Sequence, residues 1–254
     1  MSRPGLESKP PPPLLPLARL ALFLDFDGTL VELAPTPDAV IVPRDLPGLL
    51  ERLRDRLGGA LAVVSGRPVA DIDRLLAPSR LAAAGSHGAE LRASPRGEVV
   101  PLGEPLPEPL HASLVALAAA LRRRSPGVRA EDKGTAFALH YRQAREAEPA
   151  LRAGLGGLPL GEDWEILAGH CVYEIRSRHR HKGDALRRLM SEAPFAERKP
   201  VYLGDDRTDL DGMAAAWALG GQGVAVGGLD APKAEWALAD PAAVRDWLRR
   251  LAVS

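Results

Sequence analysis

The chain has 254 residues, and its 33 Lys and Arg side chains balance 33 Asp and Glu, for a formal net charge of zero. That length supports a substantial core in one large domain or two modest ones, and the balance removes the main electrostatic argument for a dedicated nucleic-acid or membrane-surface protein. A single cysteine, Cys171, excludes an internal disulfide and suits a reducing, cytoplasmic compartment, while no apolar run approaches the ~18 residues of a membrane span.

Residues 1–18 read as a leader rich in proline, with Pro10, Pro11, Pro12 and Pro13 consecutive. It lacks the compact apolar stretch of a signal peptide and is expected to be disordered or polyproline-like. Residues 20–24 form a short buried-strand run. Leu46, Leu49, Leu50, Leu53 and Leu57 then recur at helical spacing, with Gly58 as the cap. Residues 60–64 give the next strand, Pro68 opens a helix carrying Val69, Ile72, Leu75 and Leu76, and residues 81–84 make a third strand. This βαβαβ order implies a parallel sheet with helices on both faces.

From about residue 101 to residue 178 the grammar changes. Leu110, Leu114, Leu117 and Leu121 mark a helix, with Arg122 to Arg124 suited to its C-terminus. Residues 136–142 alternate, Phe137, Leu139 and Tyr141 on one face and Ala138, His140 and Arg142 on the other. Residues 172–176 do the same, with Cys171, Tyr173 and Ile175 opposite Val172, Glu174 and Arg176. Such alternation predicts half-buried strands of an antiparallel sheet with one polar face, and places Cys171 in apolar packing. The α/β alternation resumes with a helix over 185–190, a strand over 201–203, a helix over 210–217, a strand over 224–226 and a last helix from Pro241. The chain is therefore expected to consist of a core, 19–100 with 179–254, carrying an inserted module over 101–178.

Four segments carry chemistry, each at the end of a predicted strand or the start of a helix. Asp25 and Asp27 follow the first strand, at the sheet edge where ligands bind in open α/β folds. Two carboxylates at that spacing suit Mg2+, a hard cation that prefers oxygen, although a bare Asp-x-Asp is also a common solvated turn. Gly28 permits a sharp turn, and Thr29 is expected to offer a donor to phosphate. Ser65 ends the second strand, where a hydroxyl and backbone N–H groups can hold a phosphate oxygen or simply cap a helix. Lys182 precedes a helix and can neutralise a phosphoryl group. Asp205, Asp206 and Asp209 crowd the loop after a later strand, and such crowding is poorly explained by stability because like charges repel without a cation or base.

The ordered set Asp25-x-Asp27-Gly28-Thr29, Ser65-Gly66-Arg67, Lys182-Gly183 and Gly204-Asp205-Asp206-x-Thr208-Asp209 resembles the haloacid dehalogenase (HAD) superfamily of phosphotransferases. Further segments bring it near the trehalose-6-phosphate phosphatase family: 85–90 with His87 and Glu90, 131–134 with Glu131 and Lys133, 139–142 with His140 and Arg142, and Glu174-Ile175-Arg176. The resemblance implies a HAD-like Rossmannoid core with a C2-type α/β open-sandwich cap. Asp25 would be the nucleophile, Asp27 the acid and base, and Ser65 and Lys182 their catalytic companions. Mg2+ would be held by Asp25, the carbonyl of Asp27 and Asp205, with Asp206 and Asp209 behind them.

Spacing agrees on where the cap lies. Asp27 and Ser65 are 38 residues apart, which one helix and strand fill, whereas Ser65 and Lys182 are 117 apart. This argues against mutases resembling β-phosphoglucomutase, whose cap follows the first motif. Arg67, His87, Glu131, Lys133, His140, Arg142, Glu174 and Arg176 are the expected substrate-binding residues, with Lys133, Glu174 and Arg176 preferred over His140 and Arg142. The implied activity is hydrolysis of trehalose 6-phosphate, the last step of trehalose synthesis, with functional pairing to a trehalose-phosphate synthase. Alternatives are sucrose 6-phosphate or mannosyl-3-phosphoglycerate phosphatases, or a non-catalytic sugar-phosphate sensor. The basic run from Arg176 to Lys182 has no interleaved aromatic and does not point to nucleic acid.

Overall fold

The computed structural model describes residues 9–169, 171–178 and 182–253. It contains two compact units, Met1–Val100 with His181–Ser254, and Pro101–Arg180. The chain begins with β1 (Leu20–Leu24), α1 (Leu46–Arg56), β2 (Leu61–Val64), α2 (Val69–Leu75), β3 (Ala82–Gly85), β4 (Glu90–Arg92) and β5 (Val100–Pro101). The second unit follows with α3 (Glu108–Arg124), β6 (Arg129–Asp132), β7 (Ala136–His140), α4 (Glu148–Gly156), β8 (Trp164–Gly169) and β9 (Val172–Ser177). The chain then returns to the first unit with α5 (Lys182–Met190), β10 (Lys199–Gly204), α6 (Asp209–Ala218), β11 (Gln222–Val226), β12 (Ala234–Leu238) and α7 (Pro241–Leu251).

The sheet of the first unit runs β12-β11-β10-β1-β2-β3-β4-β5. It is parallel from β12 to β3, and β4 turns back antiparallel on β3. Every residue of β1, β2 and β3 is buried. Unbroken apolar runs are what strands covered on both faces require, which is why these segments show no alternation. The apolar stripe of α1 (Leu46, Leu49, Leu50, Leu53) is likewise buried, and Gly58 takes φ +59° just beyond its end. Asp240 starts α7 by accepting the Ala243 N–H at 2.8 Å, with Pro241 at the first helical position.

The leader departs from expectation over its described part. Lys9 Nζ donates to the carbonyls of Ala231 and Ala234 at 2.5 and 2.7 Å, and Pro10 O accepts the Ala237 N–H at 3.0 Å. Pro13 O accepts the Trp247 indole N–H at 3.2 Å, and Leu17–Arg19 form a 3₁₀ turn. Prolines lack N–H donors but keep their carbonyls, so an extended proline run can still satisfy donors on β12 and α7. Residues 9–18 are therefore seated on the core, while the rest of the expected leader, residues 1–8, lies outside the described residues.

In the second unit four antiparallel strands run in the order β6-β7-β9-β8. Phe137, Leu139, Tyr173, Ile175 and Trp164 cluster with Leu110, Leu114 and Leu121 of α3 and with Leu151 and Leu155 of α4. The opposite sheet face carries Glu131, Ala138, His140, Glu174 and Arg176, as the register requires. Three details differ from the alternation. Strand β7 stops at His140, so Arg142 lies beyond it, although Tyr141 still packs on the apolar cluster and its N–H donates to the Cys171 carbonyl at 2.9 Å. Ala138 is buried, lying between its register partners Glu131 and Glu174. Cys171 sits in the β8–β9 turn at φ +60°, only partly buried, so it is a turn residue and not core packing. Among the described residues, no helix is long and apolar enough to cross a membrane.

Candidate active site

The central strands β10, β1, β2 and β3 are parallel, so their C-terminal ends share one edge. Register places Leu24 beside both Leu203 and Val63, and Val64 beside Ala84. Asp25, Asp205, Ser65 and His87 therefore emerge from neighbouring loops. All four line one cavity of about 470 Å³ together with Asp27, Arg67, Lys182 and Asp206.

The β1 loop turns because Gly28 adopts φ +79°, a region that L side chains rarely enter. A Cβ there would also stand 2.1 Å from Asp205 Oδ2. Removing the side chain lets the first loop close onto the Asp205 carboxylate, whose Oδ1 accepts the Thr29 hydroxyl at 3.0 Å. This corrects the expected role of Thr29: it is buried, and its hydroxyl orients an acid and does not face phosphate.

Lys182 opens α5 and does not precede it, and it is buried. Its Nζ donates to Asp25 Oδ1 at 2.6 Å and to Asp209 Oδ1 at 2.7 Å. Burial alone would drive this ammonium's pKa down, but Asp25 and Asp209 outweigh it and hold the pKa above its ordinary value. Burial pushes the Asp25 carboxyl well up against the pull of Lys182, and Asp209 pushes it further. Asp209 is fully buried. Its Oδ1 also accepts the Tyr202 hydroxyl at 2.8 Å, and its Oδ2 accepts the main-chain N–H groups of Asp205 and Asp206, each at 3.1 Å. Burial raises its pKa as well, opposed by Lys182.

Asp25, Asp205 and Asp209 each present an oxygen within 4.8 Å of the other two. An all-oxygen donor set of this kind suits a hard divalent cation. Hydrogen bonding separates the three, however. A carboxylate offers about four lone-pair sites, and Asp209 already has four donors. Asp25 and Asp205 therefore keep lone pairs that could take a cation, whereas those of Asp209 are already spent. Burial raises the Asp205 pKa, offset in part by Thr29. The Asp206 pKa is lowered in spite of burial, because the Thr208 hydroxyl and N–H bond its Oδ1 at 2.6 and 2.8 Å.

Asp27 meets Arg67 in a two-pronged pair, Nε to Oδ2 at 2.6 Å and Nη2 to Oδ1 at 2.8 Å. Ser65 is buried and its Oγ accepts the Arg67 N–H at 3.1 Å; since α2 starts only at Val69, Ser65 does not cap it. The His87 ring covers Gly66, where a Cβ would lie 2.6 Å from it. Glu90 ties these loops together, accepting the Val69 N–H at 2.7 Å and the Ser86 hydroxyl at 3.3 Å.

Four of the substrate-binding residues expected in the second unit pair with one another, while Arg176 pairs with Glu165. Lys133 Nζ donates to Glu174 Oε1 at 3.0 Å, His140 Nε2 lies 3.1 Å from Glu131 Oε2, and Arg176 Nε donates to Glu165 Oε1 at 3.0 Å. Arg142 is exposed beyond β7 and joins Glu131, His140 and Cys171 around a cavity of about 600 Å³. Sequence reasoning gave no role to Tyr202, Glu90 or Glu165. Tyr202 had the clearest signal, since a tyrosine inside a fully apolar strand must find a partner for its hydroxyl.

The parallel sheet therefore presents an acid-lined C-terminal edge with the Lys182 ammonium buried beside it. The fold is shared with a HAD-superfamily phosphatase from Bacteroides thetaiotaomicron, at a TM-score of 0.57 and 16% identity, covering 100% of this chain and 99% of that one. Residues 23–223 match the family model described as trehalose-phosphatase, and the chain belongs to that family. It is 40% identical over 238 residues to trehalose-6-phosphate phosphatase of Escherichia coli, spanning 92% of this chain and 87% of that protein. The solved structure of Aspergillus fumigatus trehalose-6-phosphate phosphatase superposes at a TM-score of 0.62 with 25% identity, covering 93% of this chain and 94% of that one.

Proposed function

We propose that this phosphatase hydrolyses trehalose 6-phosphate to trehalose and phosphate, with Asp25 as the nucleophile. An Asp25 carboxylate oxygen bonds to phosphorus as the bond from phosphorus to the sugar oxygen breaks, and Asp27 gives that oxygen its proton. Asp27 then takes a proton from water as the water oxygen attacks phosphorus, which releases phosphate and restores Asp25. Ser65 and Lys182 hold and neutralise the phosphoryl group, and Asp206 and Asp209 support the loop that bears Asp205. Asp25, the Asp27 carbonyl and Asp205 would hold magnesium, which would supply positive charge that offsets repulsion between carboxylate and phosphate.

The observation that carries this reading is the placement of Lys182 between Asp25 and Asp209 in the cavity that also exposes Asp27, Ser65 and Asp205. In the second unit, taken as the cap, Lys133, Glu174 and Arg176 are the sugar-recognising groups, with Glu131, His140 and Arg142 beside them; charged partners strengthen hydrogen bonds to hydroxyls.

Phosphate release across a panel of trehalose 6-phosphate, sucrose 6-phosphate and mannosyl-3-phosphoglycerate, with Mg2+, tests the proposal. Turnover led by trehalose 6-phosphate, stopped by a chelator and restored by excess Mg2+, is the expected result. Comparable turnover of another member overturns the substrate assignment, and no turnover of any member favours a sensor.

A further inference from the structure

We infer that Arg67 is a positioning residue for the acid–base group Asp27, acting through that carboxylate and not on the phosphoryl group. The inference rests on the assignment of Asp27 proposed above. Two adjacent nitrogens of the guanidinium bond to the two oxygens of Asp27 at 2.6 and 2.8 Å. A fork of this kind fixes the plane of a carboxylate, whereas one contact leaves it free to rotate about its last torsion.

Arg67 can act as a fixed reference because it is itself restrained. Its N–H donates to Ser65 Oγ at 3.1 Å, and its carbonyl accepts the Ser86 N–H at 2.9 Å. The guanidinium lies 5.9 Å from the centroid of the Phe26 ring, and the side chain is only 9% exposed. The loops after β1, β2 and β3 thus meet at one arginine. The order of residues explains the geometry: Asp27 is two positions past Asp25 and Arg67 two past Ser65, in the loops that follow the adjacent parallel strands β1 and β2, so the two side chains leave neighbouring strand ends.

Orientation of Asp27 matters most where the departing oxygen needs a proton. In the first step the proton moves from Asp27 to the sugar oxygen as the Asp25–phosphorus bond forms. A p-nitrophenolate group leaves from the same phosphorus without a proton. The ratio kcat/KM covers events up to release of the alcohol or phenol, so it separates these two demands. By contrast, kcat also contains the attack of water, which needs Asp27 as a base for either substrate.

The test compares kcat/KM for trehalose 6-phosphate and p-nitrophenyl phosphate in the wild type and in Arg67→Gln, Arg67→Lys and Asp27→Asn. We expect both Arg67 variants to lose about 10²-fold on the sugar ester, the lower end of acid–base contributions, and less than about fivefold on the aryl ester. Lysine keeps the charge but cannot make the fork, so its bias should match that of glutamine. Equal losses on both esters, or rescue by lysine, overturn the inference and leave Arg67 as a direct contact to phosphate. Thermal melting is read alongside; if Arg67→Gln does not fold, Arg67→Lys carries the comparison. The Asp27→Asn arm separates the two levels of failure. Its own bias toward the sugar ester with none in the Arg67 variants overturns only the role of Arg67, and no bias in Asp27→Asn overturns the acid assignment beneath it.

Discussion

Replacing Asp209 by asparagine is the sharpest test of the bracing network, because the substitution keeps the shape and changes only charge and donors. At one end Asp209 accepts the Lys182 ammonium and the Tyr202 hydroxyl, at 2.7 and 2.8 Å. At the other it accepts two main-chain N–H groups, both at 3.1 Å. An amide has one accepting end and one donating end. Turned one way, its NH2 meets the Asp205 and Asp206 N–H groups; turned the other way, it meets an ammonium that has no acceptor. Neither orientation satisfies the site.

The variant also leaves Lys182 buried with Asp25 as its only charged partner among the described residues. Breaking a buried ion pair costs about 3–5 kcal/mol, a large share of a total stability of roughly 5–15 kcal/mol. At ~2–4 °C per kcal/mol for a chain of this size, melting should fall by about 10 °C. Because the Asp205 N–H loses its anchor, half-saturation by Mg2+ should rise about 10–100-fold, the range for lost support of metal ligands. Calorimetry and a Mg2+ titration of phosphate release check both numbers. Tyr202→Phe removes one donor and should cost only about 1 kcal/mol. If Asp209→Asn melts within ~3 °C of the wild type and needs no more Mg2+, the bracing argument is wrong.

Asp25→Asn should leave the melting profile folded while phosphate release falls by about 10⁴-fold or more, the scale for losing a covalent nucleophile; retained turnover would remove Asp25 from that role. Gly28→Ala places a Cβ 2.1 Å from Asp205 Oδ2 on a backbone at φ +79°, so it should cost about 1–3 kcal/mol and raise the Mg2+ concentration needed for half-saturation; unchanged metal titration would count against the close approach of the two loops. Glu174→Ala should lower turnover of the disaccharide phosphate more than that of p-nitrophenyl phosphate, and equal losses would take it out of sugar recognition. The Arg245 hydrogen bond lowers the Glu32 pKa, so Glu32 stabilises the fold above the usual carboxylate range, and that contribution disappears as pH falls through the depressed value. The unfolding free energy of Glu32→Gln from denaturant titration should thus fall by at most ~0.5 kcal/mol at pH 7, since the Glu32 side chain is largely exposed, and the difference should vanish in acid.

The legible part of the fold is the part whose residues are buried on two faces or on one helical stripe. β1, β2 and α1 announce themselves because Leu20, Leu22, Leu24, Val63, Leu49 and Leu53 have no alternative to the interior. The strands without a signal are largely edges: β12 closes one sheet and β6 and β8 close the other. β6 consists of Arg129, Ala130, Glu131 and Asp132, all exposed, and is held by main-chain pairing to β7. No apolar pattern records a strand that is exposed along its length and is held by backbone pairing and by polar contacts such as His140 to Glu131 and His111 to Asp132. The seating of Lys9 and Pro10 escapes for the same reason, since it uses carbonyls.

In the site the division falls between charge and direction. Crowding of Asp205, Asp206 and Asp209 is visible because repulsion among them demands a compensating group, and Lys182 is that group in the structure. Where each hydroxyl points is a different kind of fact. Thr29 reads as a donor to phosphate, yet its Oγ1 reaches Asp205 because Gly28 lets the loop approach that carboxylate more closely than any Cβ would allow. Asp209 reads as one more acid on the loop, yet its four donors make it the acid least able to take a metal. The sequence therefore states how much charge the site must balance, while the assignment of ligand and brace depends on counting the hydrogen bonds that each oxygen already accepts.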